Sequence, residues 1–451
     1  MLHLIITAGG TAGANRGSDV RRTEGEDQEE LRLRPQIGLV AFTVNVLGTL
    51  VGAGVFVLLG TAAQLAGSAV WLAFLLAALV AAAAALNYAE LVSMYPRAGV
   101  EYEFVGHAFG RGVLPFLVGW VLTLNGSASV ATLALGFAGY LNVFWAIPAT
   151  LAAFGLVAVL MVAVLLGLKL DTRANLILTL IEVGGLTVFI SLGVINWSSA
   201  PLLDVPQGAA GVLGATALVF FAYTGFEDAS KMAEEVANPS RAVPVGLLLG
   251  LGLTALLYVS ISVAAVQLAP AAVLAESEAP LVTAVGYVWG QGGQLFLTAI
   301  ALVSITNTAL FTLVAHSRLI FAMARGGSLP QALTGLLPRT LVPWAATLIA
   351  GLLAVALIPL GEISIVASLS SWSALTVYSI VGISLLLLRY RRPEAERPFR
   401  VPLSVRGFPV LSALSVLVSV ALASQLEGAI VLLGLAVAGL GLIAYPLLRQ
   451  R

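Results

Sequence analysis

Long apolar segments alternate with short polar ones from residue 36 to the end of the chain. A helix that crosses the hydrocarbon core of a bilayer needs about 20 mainly apolar residues. Such segments predict twelve transmembrane helices, near residues 36–66, 69–94, 112–142, 147–168, 173–197, 208–236, 243–269, 292–325, 343–360, 363–389, 408–425 and 428–448. The pattern also predicts a short amphipathic helix at residues 101–110 and a longer loop with a helical turn or two at residues 270–291.

Residues 1–35 have a different character from the rest of the chain. They mix charges of both signs with few apolar residues, which predicts a solvated, largely disordered tail. The chain therefore divides into this tail, two groups of five spans at residues 36–197 and 208–389, and a final pair of spans at residues 408–448.

Composition separates this chain from soluble proteins and limits its chemistry. Hydrophobic residues make up 59% of it and charged residues 10%, against about 25% charged residues in soluble domains. With no cysteine, disulfides, thiolate metal sites and cysteine nucleophiles are excluded. Three scattered histidines make a poor metal site, and the sequence has neither a Gly-x-Ser-x-Gly nor a Walker-type motif. These features predict no cofactor and no nucleic-acid partner, and they argue against an enzyme. A channel usually shows a short filter motif, and since none is visible the sequence favours a membrane transporter.

The basic residues indicate the orientation in the membrane. If the N-terminus is cytoplasmic, all 22 lysines and arginines fall at the cytoplasmic ends of the predicted spans or in the cytoplasmic segments between them. This is the bias expected of cytoplasmic loops. The largest group lies between residues 389 and 406. The pattern predicts twelve crossings of the plasma membrane with both termini in the cytoplasm.

Two predicted spans are interrupted at their centres. The first contains Gly52-Ala53-Gly54, and glycine disfavours a helix by about 1 kcal/mol. The sixth contains the run 220–228, in which a glycine and two carboxylates follow apolar residues. A repeat of five spans reverses its orientation in the membrane. The pattern therefore predicts an inverted-repeat transporter with broken helices 1 and 6.

Broken helices offer free backbone groups to a ligand. Free N–H groups and the positive end of a helix dipole can hold a carboxylate, and free carbonyls can hold an ammonium. A zwitterion with both groups on one carbon suits a paired site. Close helix packing is the alternative explanation of either glycine motif alone. The presence of both motifs at matching positions favours the binding site.

Several motifs resemble those of the amino acid–polyamine–organocation superfamily. Residues 52–56 resemble its Gly-x-Gly-(Ile/Val)-Phe motif. Residues 220–227, continuing to 233–244, resemble its sixth-span signature, especially in the cationic amino acid transporter branch and its bacterial relatives. Residues 318–325 and 397–402 are similar to the end of the eighth span and to the loop before the eleventh. The resemblance covers roughly residues 36–450.

This resemblance implies a secondary transporter of amino acids that works by symport or exchange. Its fold would be a five-plus-five inverted repeat with two further C-terminal helices. The substrate carboxylate would meet the backbone N–H groups of Gly52, Ala53 and Gly54. The substrate ammonium would meet the carbonyls of Phe221, Ala222 and Thr224, and the Phe221 ring would close over the site as a gate.

The chain departs from its apparent relatives at two positions. Glu182 stands in the fifth span where many relatives carry a lysine. A carboxyl group inside a span predicts a functional site, here a proton or sodium coupling site. The alternative is that Glu182 is paired or lines a water-filled cavity without a role in coupling. Asn125 stands in the third span where relatives often carry a glutamate. This favours neutral amino acids as substrates, and the alternative is a carrier of polyamines or other organic cations.

Four further residues are candidates for coupling or gating. Glu227 and Asp228 follow the second break and would gate the site or orient the unwound segment. Thr306 and Thr308 in the eighth span would face the substrate or a small cation, with helix packing as the alternative. The expected partners are an amino acid and the lipid bilayer, and the oligomeric state stays open.

Overall fold

A computed structural model describes residues 37–95, 100–110, 112–168, 172–230, 236–405 and 407–448. The predicted tail at residues 1–35 lies outside these residues. The helices of the described part are α1 (Leu39–Leu50), α2 (Gly54–Ala66), α3 (Val70–Met94), α4 (Val100–Phe109), α5 (Val113–Leu141), α6 (Ala149–Leu165), α7 (Thr172–Ile195), α8 (Gly208–Val219), α9 (Phe226–Ser230), α10 (Pro239–Leu268), α11 (Ala271–Ala275), α12 (Pro280–Arg325), α13 (Trp344–Leu357), α14 (Ile363–Arg391), α15 (Val410–Ala423) and α16 (Gly428–Leu448).

Short elements complete the fold. Four 3₁₀ turns occupy Gly67–Ala69, Phe220–Tyr223, Gln331–Thr334 and Ile358–Leu360 in the described residues. Strands β1 (Ser404–Val405) and β2 (Phe408–Pro409) pair antiparallel between α14 and α15.

The described residues contain eight helical stretches that are long and apolar enough to cross a membrane. Four shorter apolar helices lie at Leu39–Leu50, Ala149–Leu165, Trp344–Leu360 and Val410–Ala423. Of the eight long stretches, α14 is the most buried and α16 the least, so α14 is central and α16 peripheral. The all-α membrane fold is confirmed; the count of twelve crossings and the inverted repeat stay predictions.

Close helix contacts build the core around α5, α10, α12 and α14. Glycines provide many of these contacts because they let a neighbouring side chain approach the backbone. On α10, Gly246 receives the Phe42 ring and Gly250 receives Val46, so α1 lies tightly along α10. On α5, Gly136 receives Val57 of α2.

Local predictions can be compared directly with these elements. The predicted amphipathic helix is present as α4. The predicted loop at 270–291 is more helical than expected, because α12 already begins at Pro280. Proline is favoured in the first helical turn, where its missing N–H costs nothing. The helix then bends at Gly290, whose φ is 63°.

An ion cluster joins α3, α14 and the segment that follows α14. Glu90 of α3 is fully buried. The Arg389 guanidinium donates to both of its oxygens, with Nε 2.8 Å from Oε1. The Val401 N–H donates to Oε2 at 2.7 Å, and Arg397 Nε lies 3.3 Å from Oε1. One buried carboxylate therefore anchors two arginines and a backbone amide from distant parts of the chain.

Replacement of Glu90 by glutamine should strongly destabilise the protein. The variant would leave Arg389 and Arg397 buried without their anion, and removing one partner of a buried ion pair costs about 3–5 kcal/mol. We expect a clear fall in the thermal unfolding temperature of the purified protein in detergent. The control is Glu394→Gln, which changes an exposed carboxylate in the same segment. Equal unfolding temperatures for the two variants would show that the cluster does not stabilise the fold.

Candidate binding site between two broken helices

The first break separates α1 from α2. Helix α1 ends at Leu50 and α2 begins at Gly54, so residues 51–53 leave the helical path as predicted. The hydroxyl group of Tyr258, on α10, bridges the gap. It donates to the Leu50 carbonyl at 2.6 Å and accepts from the Gly52 N–H at 3.4 Å. A buried side chain from another helix thus satisfies backbone groups that the break releases.

A second hydroxyl reaches the same break from α12. The Ala53 N–H donates to Thr308 Oγ1 at 3.4 Å. Thr308 in turn donates to the carbonyl of Ser304 at 3.0 Å. The Ser304 hydroxyl donates to Glu182 Oε1 at 2.5 Å. Glu182 is buried, and Ser304 and Thr308 of α12 link it to the first break. The link passes from the hydroxyl of Ser304 through the residue itself to its backbone carbonyl.

The second break lies between α8 and α9. Helix α8 ends at Val219, a 3₁₀ turn follows, and Thr224 is extended. Gly225 has a φ of 121°, a conformation that residues with a side chain rarely adopt. The Phe221 carbonyl accepts from the Thr224 N–H at 3.1 Å and from its hydroxyl at 2.7 Å. The predicted interruption is therefore present, and Thr224 partly satisfies it.

Two neighbouring serines of α14 support this region from the other side. Ser371 Oγ accepts from the Phe221 N–H at 3.0 Å and donates to the Leu218 carbonyl at 3.1 Å. Ser370 accepts from Nδ2 of Asn125, through its carbonyl at 2.9 Å and its hydroxyl at 3.1 Å. The structure thus places Asn125 in a bridge between α5 and α14, one residue away from the serine that holds the second break.

Glu227 acts locally on the second break. Its Oε2 accepts from the Gly225 N–H at 2.8 Å, and the residue is buried. The backbone N–H of Asp228 donates to the Gly225 carbonyl at 3.0 Å. Both contacts lie in the turn into α9; the first involves the Glu227 carboxylate and the second only the Asp228 backbone. The gating or orienting role of these two carboxylates stays a prediction.

The two breaks lie directly against each other. A Cβ atom placed on Gly54 would lie 2.6 Å from Cβ and 2.7 Å from Cα of Ala222. One placed on Gly225 would lie 3.1 Å from the Thr49 carbonyl oxygen. The absence of a side chain at Gly54 is therefore what allows the two unwound segments to meet.

The structure brings together most of the predicted site residues but not all. Gly52, Ala53 and Thr308 meet at the first break, and Gly54 meets Ala222 between the breaks. Thr306 does not join them, because its hydroxyl bonds the Leu302 carbonyl of its own helix at 2.7 Å.

Sequence reasoning missed Tyr258, Ser371 and Ser304. The available signal was weak: a single tyrosine in an apolar span, and hydroxyl residues at positions 304 and 370–373.

The described residues contain no group of three or more histidines, aspartates or glutamates placed to hold a metal ion. The chemistry on offer at the breaks is hydrogen bonding by backbone N–H groups, carbonyls and hydroxyls. These groups can hold a polar solute by hydrogen bonds.

Comparison of the sequence with known proteins identifies its family. The profile of the amino acid permease family matches residues 37–436. The chain is 30% identical over 421 residues to a branched-chain amino acid permease of Bacillus subtilis, covering 86% of this chain and 87% of that protein. It is 32% identical over 402 residues to a methylthioribose transporter of the same species, covering 83% and 86%.

A plant protein shows similar identity over a smaller share of its own length. The chain is 33% identical over 399 residues to the vacuolar cationic amino acid transporter 4 of Arabidopsis thaliana, covering 83% of this chain and 65% of that protein. The profile match and these identities show that the chain belongs to the amino acid permease family and is a membrane transporter, not an enzyme.

Proposed function

We propose that the chain is a secondary active transporter that carries amino acids, preferentially neutral ones, across the plasma membrane. The substrate zwitterion binds between the two broken helices. The observation that carries the proposal is the contact of the first break with the second at Gly54 and Ala222. Membership of the amino acid permease family supports the substrate class.

The proposed topology has twelve crossings with both termini in the cytoplasm. The two five-span repeats are residues 36–197 and 208–389, and residues 408–448 form the last pair. Two features support it: the shorter apolar helices that accompany the eight long ones in the described residues, and the alternation of basic segments. The two breaks also occur in the first span of each repeat.

The hydrogen bonds at the first break favour a carboxylate ligand. The N–H groups of Gly52 and Ala53 reach their hydroxyl partners at 3.4 Å, longer than the about 2.7–3.2 Å of a good N–H···O bond. A substrate carboxylate would form shorter, charge-assisted bonds with these groups and with Gly54. The hydroxyls of Tyr258 and Thr308 would then be displaced by the stronger acceptor.

The second break would receive the substrate ammonium. Both lone pairs of the Phe221 carbonyl are engaged by Thr224, so this carbonyl becomes available when Thr224 turns away. The carbonyls of Ala222 and Thr224 complete the proposed ammonium site, and the Phe221 ring would close over it. Asn125 would influence the second break indirectly, through its hydrogen bonds to Ser370 of α14.

Coupling is proposed to run through Glu182. Its hydrogen-bond chain through Ser304 and Thr308 ends at Ala53 of the first break. A proton or a sodium ion at Glu182 would change this chain and hence the geometry of the break. Thr306 stays a weaker candidate for coupling, and Glu227 and Asp228 stay candidates for gating.

The alternative is a carrier of polyamines or other organic cations. The observation that favours it is the pair of carboxylates, Glu227 and Asp228, adjoining the second break. The names of the relatives do not decide the charge of the substrate. They include branched-chain and cationic amino acid transporters and a methylthioribose transporter.

A thermal-shift panel should identify the substrate. The purified protein would be tested with the standard L-amino acids, common polyamines and methylthioribose, at acidic and neutral pH and with or without sodium. We expect a small set of neutral amino acids to raise the unfolding temperature, because a ligand that binds only the folded state stabilises it. Stabilisation by polyamines alone would replace the proposal with its alternative.

Substitution of Gly54 by alanine should abolish the substrate-induced thermal shift. The added Cβ would meet Ala222 and push the two breaks apart. The control is Gly155→Ala, a glycine with open space around its Cα. The unfolding temperature without substrate reports separately on folding.

A full shift in the Gly54→Ala variant would contradict the proposed binding site.

Substitution of Glu182 by glutamine should uncouple transport. In proteoliposomes, wild-type uptake should rise when a proton or sodium gradient is imposed in the direction of uptake. The glutamine variant should not respond, because the amide does not titrate and lacks the negative charge that holds a cation. Exchange of substrate for substrate should persist. The control is Glu362→Gln, an exposed carboxylate, and gradient-driven uptake by Glu182→Gln would exclude the coupling role.

A further inference from the structure

A small cavity lined by both polar and apolar residues lies away from the two breaks, where the end of α6 meets α12. Its volume is about 80 Å³. This is several times the about 10–15 Å³ that one water molecule needs. Its lining includes Gly167, Leu168, Ser317, Arg318, Thr340 and Leu341. The proposed topology puts these residues at the cytoplasmic surface of the bilayer, and the inference below rests on that topology.

Among the described residues, one basic group that lines the cavity has no anionic partner. Arg318 is exposed and has no hydrogen bond or ion pair with any residue that the structure describes. Arg389 and Arg397, at the same proposed membrane surface, are both engaged by Glu90. The Thr340 hydroxyl reaches the Leu165 carbonyl only at 3.5 Å, the limit of a hydrogen bond. Within the part of the chain that the structure describes, two donors thus border the cavity without strong acceptors.

The surroundings of the cavity are apolar and exposed. The exposed fractions of Leu166, Leu168 and Leu341 are 69%, 61% and 68%. Leu341 has a φ of 55°, an unfavourable conformation for a bulky residue, and its side chain is exposed beside the cavity. Trp344, half exposed nearby in the chain, is a residue type typical of the membrane interface.

We infer that this cavity binds the phosphate group of an anionic phospholipid of the cytoplasmic leaflet. Arg318 and Thr340 donate hydrogen bonds to the phosphate, and the three leucines contact the acyl chains. Basic pockets between helices on the cytoplasmic side suit such headgroups. A soluble anion would use the two donors but would leave the leucines in water. The lipid would hold the same helix, α12, that contacts the first break through Thr308.

The test compares two phospholipids with equal acyl chains on delipidated protein in detergent. Phosphatidylglycerol should raise the unfolding temperature and be retained in native mass spectra more strongly than phosphatidylcholine. Arg318→Gln should lower the affinity for phosphatidylglycerol about tenfold or more, since it removes a charge-assisted bond. The control is Arg400→Gln, which removes an exposed positive charge after α14 and should keep the wild-type affinity.

Three results would overturn the inference: equal stabilisation by both lipids, unchanged retention in Arg318→Gln, or equal stabilisation by inorganic phosphate without lipid. The amino acid panel on the same preparation reports on transport separately. Intact amino acid shifts together with any of these results would reject the lipid site alone. Loss of the amino acid shifts with a preserved lipid effect would reject the proposed function alone.

Discussion

Inside a bilayer, every backbone N–H and C=O group must find its partner within the protein. Residues 51–53 and the turn around Gly225 are not regular helix, and hydroxyl side chains from other helices bond part of the backbone there. Tyr258 and Thr308 serve the first break, and Ser371 serves the second. The breaks persist because other helices surround them and supply these groups.

This constraint also determines where the breaks can lie. A helix interruption facing lipid would leave polar groups without partners, so both interruptions are buried among neighbouring helices and touch each other. Glycine makes the approach possible, since any Cβ at Gly54 would collide with Ala222. The partners differ in quality: Tyr258 meets the Leu50 carbonyl at 2.6 Å, whereas the N–H groups of Gly52 and Ala53 reach their hydroxyls at 3.4 Å. The weakly held donors are the ones in the proposed carboxylate site.

Two buried carboxylates, Glu90 and Glu182, differ in the partners that surround them. Glu90 is matched by two arginines and a backbone amide, which makes it an anchor for α3 and α14. Among the described residues, Glu182 has the Ser304 hydroxyl as its hydrogen-bond partner and no arginine or lysine within ion-pair distance. A carboxyl group without a fixed counter-charge can exchange a proton or a cation at lower cost than one already neutralised. This contrast is why Glu182 is the coupling candidate.

The sequence by itself determined the features that depend on neighbouring residues. Apolar length predicted the membrane helices, glycines predicted the interruptions at 52–54 and 220–228, and the motifs predicted the family. It did not determine the partners of the broken segments, because those contacts join residues far apart in the chain. Gly52 and Tyr258 are separated by 206 positions, and Glu90 and Arg389 by 299. The local pattern specifies where a helix forms or breaks. Only the packing of distant helices decides which hydroxyl bonds the backbone groups at a break and which guanidinium pairs with a buried carboxylate.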